Sequence, residues 1–249
     1  MSQSSALAPK FDGSKWQIPG VGNFRHRSEW TFNGEILPDG LRKSTWTIKG
    51  GPKALFDHKY EESNVYHYDS FLNLVVPGGQ KQGPIRCAEV SSTVSDILYA
   101  SVEVRAIFSQ TPGTCVGIFF YQSDTQETDI EYLSDPASLS NQGSKIPPIH
   151  YTNQSNQENG QSTTETGPAP EDVTASHLYR IDWLQDKCVF YIDGVRQSTL
   201  TKDVPSKPCS FILNNWSNGD PGWTVGPPAQ DNIFKVLSVV MHYDRAGDQ

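Results

Sequence analysis

Residues Gln126-Glu127-Thr128-Asp129-Ile130-Glu131-Tyr132-Leu133 alternate three carboxylates with Thr128, Ile130 and Tyr132. A helix would scatter the three acids around its circumference. A strand, whose side chains alternate faces, puts all of them on one side, so the period of two predicts a β-strand. At a rise of about 3.3 Å per residue, successive carboxylates lie about 6.6 Å apart at their Cα atoms. No Lys or Arg is interleaved to relieve the repulsion. A solvated acidic face is one reading of such a row. Lining a cleft is the other, because crowding and burial raise a carboxyl pKa into the range useful for acid chemistry.

The same punctuated pattern runs through the chain. Strand candidates are residues 30–32, 41–48, 71–76, 101–108, 116–121, 128–133, 179–184, 188–192, 211–213 and 233–243. Asn33-Gly34, Asp39-Gly40, Pro112-Gly113 and Asp193-Gly194 separate them as turn signals. No window has convincing helical periodicity, and many short strands at regular spacing predict an all-β sandwich or barrel. No linker or repeat divides residues 1–249, which are expected to form one domain. Residues 1–20 are read as an irregular arm, and residues 153–172, rich in Gln, Asn, Ser and Thr, as a long surface loop.

Composition narrows the partners. With 28 acidic and 20 basic residues the net charge is −8, which argues against nucleic acid and anionic membranes. A neutral ligand read by aromatic and amide groups fits better, since Phe, Trp and Tyr make up 11% of the chain. Cys87, Cys115, Cys188 and Cys209 have no metal-ligand spacing; they allow two disulfides in three pairings, or four buried thiols. Two Asn-x-Ser sequons begin at Asn153 and Asn215. No apolar run is long enough for a membrane helix. The N-terminus carries no signal-peptide pattern, and the cysteines and sequons favour a secreted protein whose leader is missing from this sequence.

The carboxylate strand resembles the E-x-D-x-E motif of glycoside hydrolase family 16, whose members are two-sheet jelly-roll sandwiches with a concave cleft. The likeness continues in order from about Ile97 to Tyr243. ILYASVEVR (97–105), PGTCVGIFFY (112–121), SHLYRIDW (176–183), VFYIDG (189–194) and NNWSNGDPGW (214–223) each resemble a family segment. The surroundings of Glu127 and Trp223 resemble fungal members. Residues 1–96 match loosely, and Thr128 and Ala100 depart from the usual residues without removing an acid.

The resemblance implies a retaining hydrolase of β-1,3 or mixed β-1,3/1,4 glucan, endo-acting, monomeric and free of cofactor and metal. Glu127 would be the nucleophile, Glu131 the acid/base and Asp129 the group that hydrogen-bonds Glu127. Glu103, Tyr151, Asn214 and Trp216 would bind sugar, Trp216 by stacking. For Glu103 a Glu–Arg pair on a strand is the competing reading, as is core packing for Trp216. His177 and Trp183 read as structural. Transglycosylation, and a carbohydrate-binding sandwich without hydrolysis, are the alternatives.

Overall fold

The computed structural model describes residues 8–248. Twenty strands follow one another: β1 (Lys10–Phe11), β2 (Trp16–Ile18), β3 (Gly22–Phe24), β4 (His26–Thr31), β5 (Leu41–Lys43), β6 (Thr47–Ile48), β7 (His58–Tyr60), β8 (Val65–Tyr68), β9 (Phe71–Val76) and β10 (Ile85–Ser92). The second half holds β11 (Ile97–Ile107), β12 (Cys115–Ser123), β13 (Gln126–Leu133), β14 (Ile149–Asn153), β15 (Thr163–Gly167), β16 (His177–Trp183), β17 (Cys188–Ile192), β18 (Val195–Leu200), β19 (Ser210–Trp216) and β20 (Asn232–Arg245). Helical structure among the described residues is limited to three single 3₁₀ turns.

Two large sheets stack as a jelly-roll sandwich. One runs β15-β14-β13-β12-β19-β10-β7-β6, with β5 also on β10; the other runs β18-β17-β16-β11-β20-β9-β8, with β4 also on β20. Pairing is antiparallel except between β10 and β7. Alternation along each strand supplies the core. Ile118, Phe120, Ile130, Tyr132 and Leu213 of the first sheet meet Val102, Val104, Tyr179, Trp183 and Phe234 of the second. Phe108 stacks on Tyr179 at 4.4 Å and on Tyr132 at 5.4 Å, tying the sheets together. Phe120 and Trp183 approach across the same gap at 5.2 Å. Because these positions take the inner face, Glu127, Asp129 and Glu131 are forced onto the outer face of the first sheet.

Three expectations are corrected by the fold. The N-terminal arm is not irregular: β1, β2 and β3 form a small sheet, anchored where Trp16 packs on His242 at 5.3 Å and beneath the Arg27 guanidinium; residues 1–7 of that arm lie outside the described residues. The loop expected over residues 153–172 contains β15, which pairs with β14 from Ile149–Gly167 to Asn153–Thr163. Its sequence, Thr163-Thr-Glu-Thr-Gly167, is polar on both sides because it is a mostly exposed edge strand. Finally, the continuous strand expected over 41–48 is broken, β5 pairing with β10 and β6 with β7.

Candidate active site

β13 lies within the first sheet between β12 and β14, and register decides what each carboxylate faces. Glu131 is opposite Gly117 and His150, Asp129 opposite Phe119 and Thr152, and Glu127 opposite Tyr121. All three acids line one cleft of about 470 Å³, whose other walls include Trp46, His58, Tyr60, Glu89, Asn214 and Trp216. The structure therefore brings together five of the seven residues singled out from sequence: Glu127, Asp129, Glu131, Asn214 and Trp216.

Burial sets the electrostatics of the row. Asp129 is 2% exposed, and its carboxyl is pushed well up, first by burial and then by the charges of Glu127 and Glu131. It accordingly keeps its proton and donates it in a hydrogen bond to Glu127. Gln154 Nε2 donates to Asp129 Oδ2 at 3.4 Å. Glu127 is raised by burial, with that bond from Asp129 acting the other way. Glu131 is also raised by burial, and two donors oppose the shift. These are Cys115 Sγ and Trp223 Nε1, each 3.3 Å from Oε1. The row thus holds both outer acids well above the ordinary carboxyl range, Glu127 at about 8 and Glu131 at about 7, with Asp129 hydrogen-bonded to the first.

The opposite wall carries a fourth buried acid. Glu89 on β10 is 3% exposed and raised by burial to about 7. Ser44 Oγ donates to its Oε1 at 2.7 Å and Asn214 Nδ2 approaches Oε2 at 3.4 Å. The same amide donates to Tyr60 Oη at 3.1 Å. Gly117, between Glu131 and Asn214 in the cross-strand row, leaves room for this arrangement: a Cβ there would meet Asn214 Oδ1 at 2.6 Å. Trp216 is half-buried at the cleft wall and stacks on His58 at 5.0 Å. Tyr121 Oη donates to Asp124 at 2.9 Å on the Glu127 side.

Glu103 and Tyr151 do not join the site. Glu103 is on β11 in the other sheet, where it faces Arg180 across the ladder with Nη1 at 3.8 Å. Tyr151 is opposite Ile130, an inward residue, and so points into the core against Phe190. His150, its neighbour, faces the row but is buried, with Nε2 3.0 Å from Asn141 Oδ1. Glu89, Tyr60, Cys115 and Trp223 are the site residues that the sequence reading passed over. The alternation of Ile85, Cys87 and Glu89 against Ala88 and Val90 was a usable strand signal for the first of these.

The expected disulfides and glycans are also corrected. All four cysteines are free and buried on separate segments. Asn153 and Asn215 are fully buried. Their amide nitrogens donate to backbone oxygens, Asn153 to Lys202 and Asn215 to Leu74 and Asn232, so neither is accessible for glycosylation in the folded protein. His177, by contrast, has the structural role expected, bridging Asp193 at 2.6 Å and the Asp172 carbonyl at 2.9 Å. Among the described residues no cluster of His, Cys, Asp and Glu is suited to hold a metal ion.

Known proteins place this geometry in context. A "Crh-like protein" of Arthroderma benhamiae is 39% identical over 59 residues, 22% of this chain and 13% of that protein. A "Beta-glucanase" of Bacillus amyloliquefaciens is 26% identical over 164 residues, 64% of this chain and 62% of its own length. The chain therefore spans less than two thirds of these curated relatives. The crystal structure of an endo-beta-1,3-glucanase from Pyrococcus furiosus superposes with a TM-score of 0.68 at 19% identity, covering 94% of this chain and 99% of that one. Residues 53–231 match the family description "Glycosyl hydrolases family 16". That span takes in the whole acid row together with His58, Tyr60, Glu89, Asn214 and Trp216 of the cleft walls, and the chain belongs to glycosyl hydrolase family 16.

Proposed function

We propose that the chain is a retaining endo-β-glucanase acting on β-1,3 or mixed β-1,3/1,4 glucan. The observation that carries this reading is the row of three buried carboxyls, Glu127, Asp129 and Glu131, on one face of β13 in a cleft shared with Asn214 and Trp216. Glu127 attacks the anomeric carbon as Glu131 gives its proton to the glycosidic oxygen, and a glycosyl ester with Glu127 results. Glu131, now ionised, removes a proton from water, which attacks the same carbon and releases Glu127. Two inversions retain the anomeric configuration.

Asp129 is a positioning residue in this scheme: it aligns Glu127 and stabilises its returning charge. Trp216 offers a ring for a sugar face, while Glu89 and Asn214 offer hydrogen-bonding groups to hydroxyls. The Bacillus relative is named a beta-glucanase, and a glucan neutral in charge suits a chain of net charge −8. An extracellular site of action follows from the polymer alone, because neither the cysteines nor the sequons contribute support.

The test is reducing-sugar release and product sizing on laminarin, barley mixed-linkage glucan, xyloglucan, β-1,3-galactan and agarose, with Glu127→Gln alongside. Short oligosaccharides from laminarin or barley glucan, lost in the variant, are expected. Products longer than the substrate would replace hydrolysis by transfer. Silence on all five polymers would leave a binding protein and end the catalytic assignments.

A further inference from the structure

The two oxygens of Glu131 are not equivalent. Oε1 lies 3.3 Å from Cys115 Sγ and 3.3 Å from Trp223 Nε1, and among the described residues the Glu131 carboxyl makes no other hydrogen bond. An indole N–H can only donate. The thiol is fully buried beside a carboxylate, and burial and the Glu131 charge push its pKa well up, so it keeps its proton. A thiol that stays protonated next to a carboxylate oxygen donates to it. Oε1 therefore receives two hydrogen bonds and is the poorer seat for the acid's own proton.

We propose that Cys115 is a positioning residue for Glu131: its thiol, with the Trp223 indole, occupies Oε1 and confines the transferable proton to Oε2. The proposal rests on Glu131 being the acid/base of the reaction above. Local structure explains why β12 can supply the thiol. Cys115 shares the cleft-side face of β12 with Gly117, two residues on, and Gly117 is the residue opposite Glu131. With no side chain at 117, the Glu131 carboxyl has space to lean along β12 toward Cys115. A donor on Oε1 also stabilises the ionised acid, so the thiol lowers the pH at which Glu131 gives up its proton.

Other titratable groups face Glu131: Asp129 and Glu127 on its own strand, His150 on β14, and Glu89 at the far end of the row through Gly117 and Asn214. His150 is driven down to about 4 by burial and is neutral at working pH. None of these groups donates to Oε1, so none substitutes for the thiol.

Cys115→Val removes the donor at similar volume, and Cys115→Ser keeps a hydroxyl donor. In Cys115→Val the alkaline limb of kcat/KM on glucan should move up by about half a pH unit or more, with kcat down roughly three- to tenfold. For a 2,4-dinitrophenyl β-glucan oligosaccharide, whose leaving group needs no proton, kcat/KM reports the first step alone and should hold near the wild-type value. Cys115→Ser should restore most of the limb. The ¹³C titration of the Glu131 carboxyl, read by NMR without turnover, should shift upward in Cys115→Val as well. Should that variant fail to fold, Trp223→Phe removes the other donor from the same oxygen and should shift the resonance the same way. An unmoved Glu131 titration, or equal losses on both substrates in both cysteine variants, overturns the proposal. A wild type that cleaves no glucan overturns the glucanase reading instead, and leaves the titration result standing.

Discussion

Asp129 tests whether the row works through a shared proton or through three charges. Its carboxyl is deeply buried, holds its proton, donates to Glu127 and accepts from Gln154 Nε2 at 3.4 Å. Asparagine reproduces that pattern, with its NH₂ toward Glu127 and its carbonyl toward Gln154. Alanine supplies neither. A hydrogen bond to a charged acceptor is worth about 1.5–3 kcal/mol. At about 1.4 kcal/mol per tenfold, Asp129→Ala should lower kcat/KM roughly 10- to 150-fold. Asp129→Asn should lose less than about tenfold, since it keeps one neutral donor in place of another.

The pH profile gives a second reading of the same pair. The bond from Asp129 depresses the Glu127 pKa against the upward push of burial. Removing it in Asp129→Ala should move the acid limb of kcat/KM to higher pH, because Glu127 must be ionised to attack. Initial rates on the preferred glucan from about pH 4 to 9, for wild type and both variants, measure both effects. If Asp129→Asn falls as far as Asp129→Ala, an ionised Asp129 is required and the proton-sharing argument is wrong. If Asp129→Ala stays within about threefold of wild type, the bond has no part in catalysis.

Glu89, raised to about 7 in the fold, binds its proton more tightly folded than unfolded. Its contribution to stability is therefore present below the unfolded pKa near 4.5 and is lost as pH rises through about 7. Glu89→Gln should flatten the decline in unfolding free energy between about pH 5 and 8 by roughly 1–3 kcal/mol in denaturant titrations; an unchanged slope refutes this. Gly117→Ala puts a Cβ 2.6 Å from Asn214 Oδ1, displacing the amide that bonds Tyr60 and Glu89. KM for glucan should rise about 5- to 30-fold, and an unaltered KM would remove Asn214 from the binding wall. Tyr151→Phe deletes a buried hydroxyl that has no partner among the described residues, so stability should hold or rise by up to about 1 kcal/mol with KM unchanged. A raised KM would return Tyr151 to the cleft.

The acid-bearing strand was legible because its period of two carried charge, and charge on one face is visible without knowing the fold. Glu103 and Glu89 show where that legibility stops. Each occupies a strand with an alternating pattern, and the two strands follow one another in the chain. Only pairing separates them: β10 joins β19 beside the acid row, whereas β11 joins β16 and β20 in the other sheet. Sheet membership is a long-range property that no local window contains. Tyr151 failed for a subtler reason. A strand offers two faces, and a shift of one residue exchanges them; the β13–β14 register gives the row to His150 and the core to Tyr151. The sequons failed because Asn215 was a good motif in the wrong place, on the inner face of β19 with its amide spent on backbone oxygens.

A row of three acids would be a poor element of a stable sheet if all were ionised. With charges about 6.6 Å apart and an effective dielectric near 20, each adjacent pair costs about 2.5 kcal/mol. Basic neighbours would relieve that cost, yet no lysine or arginine lines the cleft among the described residues. The fold instead keeps protons in the row. Burial raises every acid in it. Uncharged donors from four other segments then decide which oxygens those protons leave free: Gln154 for Asp129, Cys115 and Trp223 for Glu131, and Ser44 for Glu89 across the cleft. A lysine or arginine would stabilise the charged row more strongly, but it would lower the pKa of the acid that must protonate the leaving group. Neutral donors fix orientation while leaving the proton available. Stability and reactivity then rest on the same choice, and a basic residue introduced at the partly buried Gln154 should strengthen the fold at high pH only by disabling the acid.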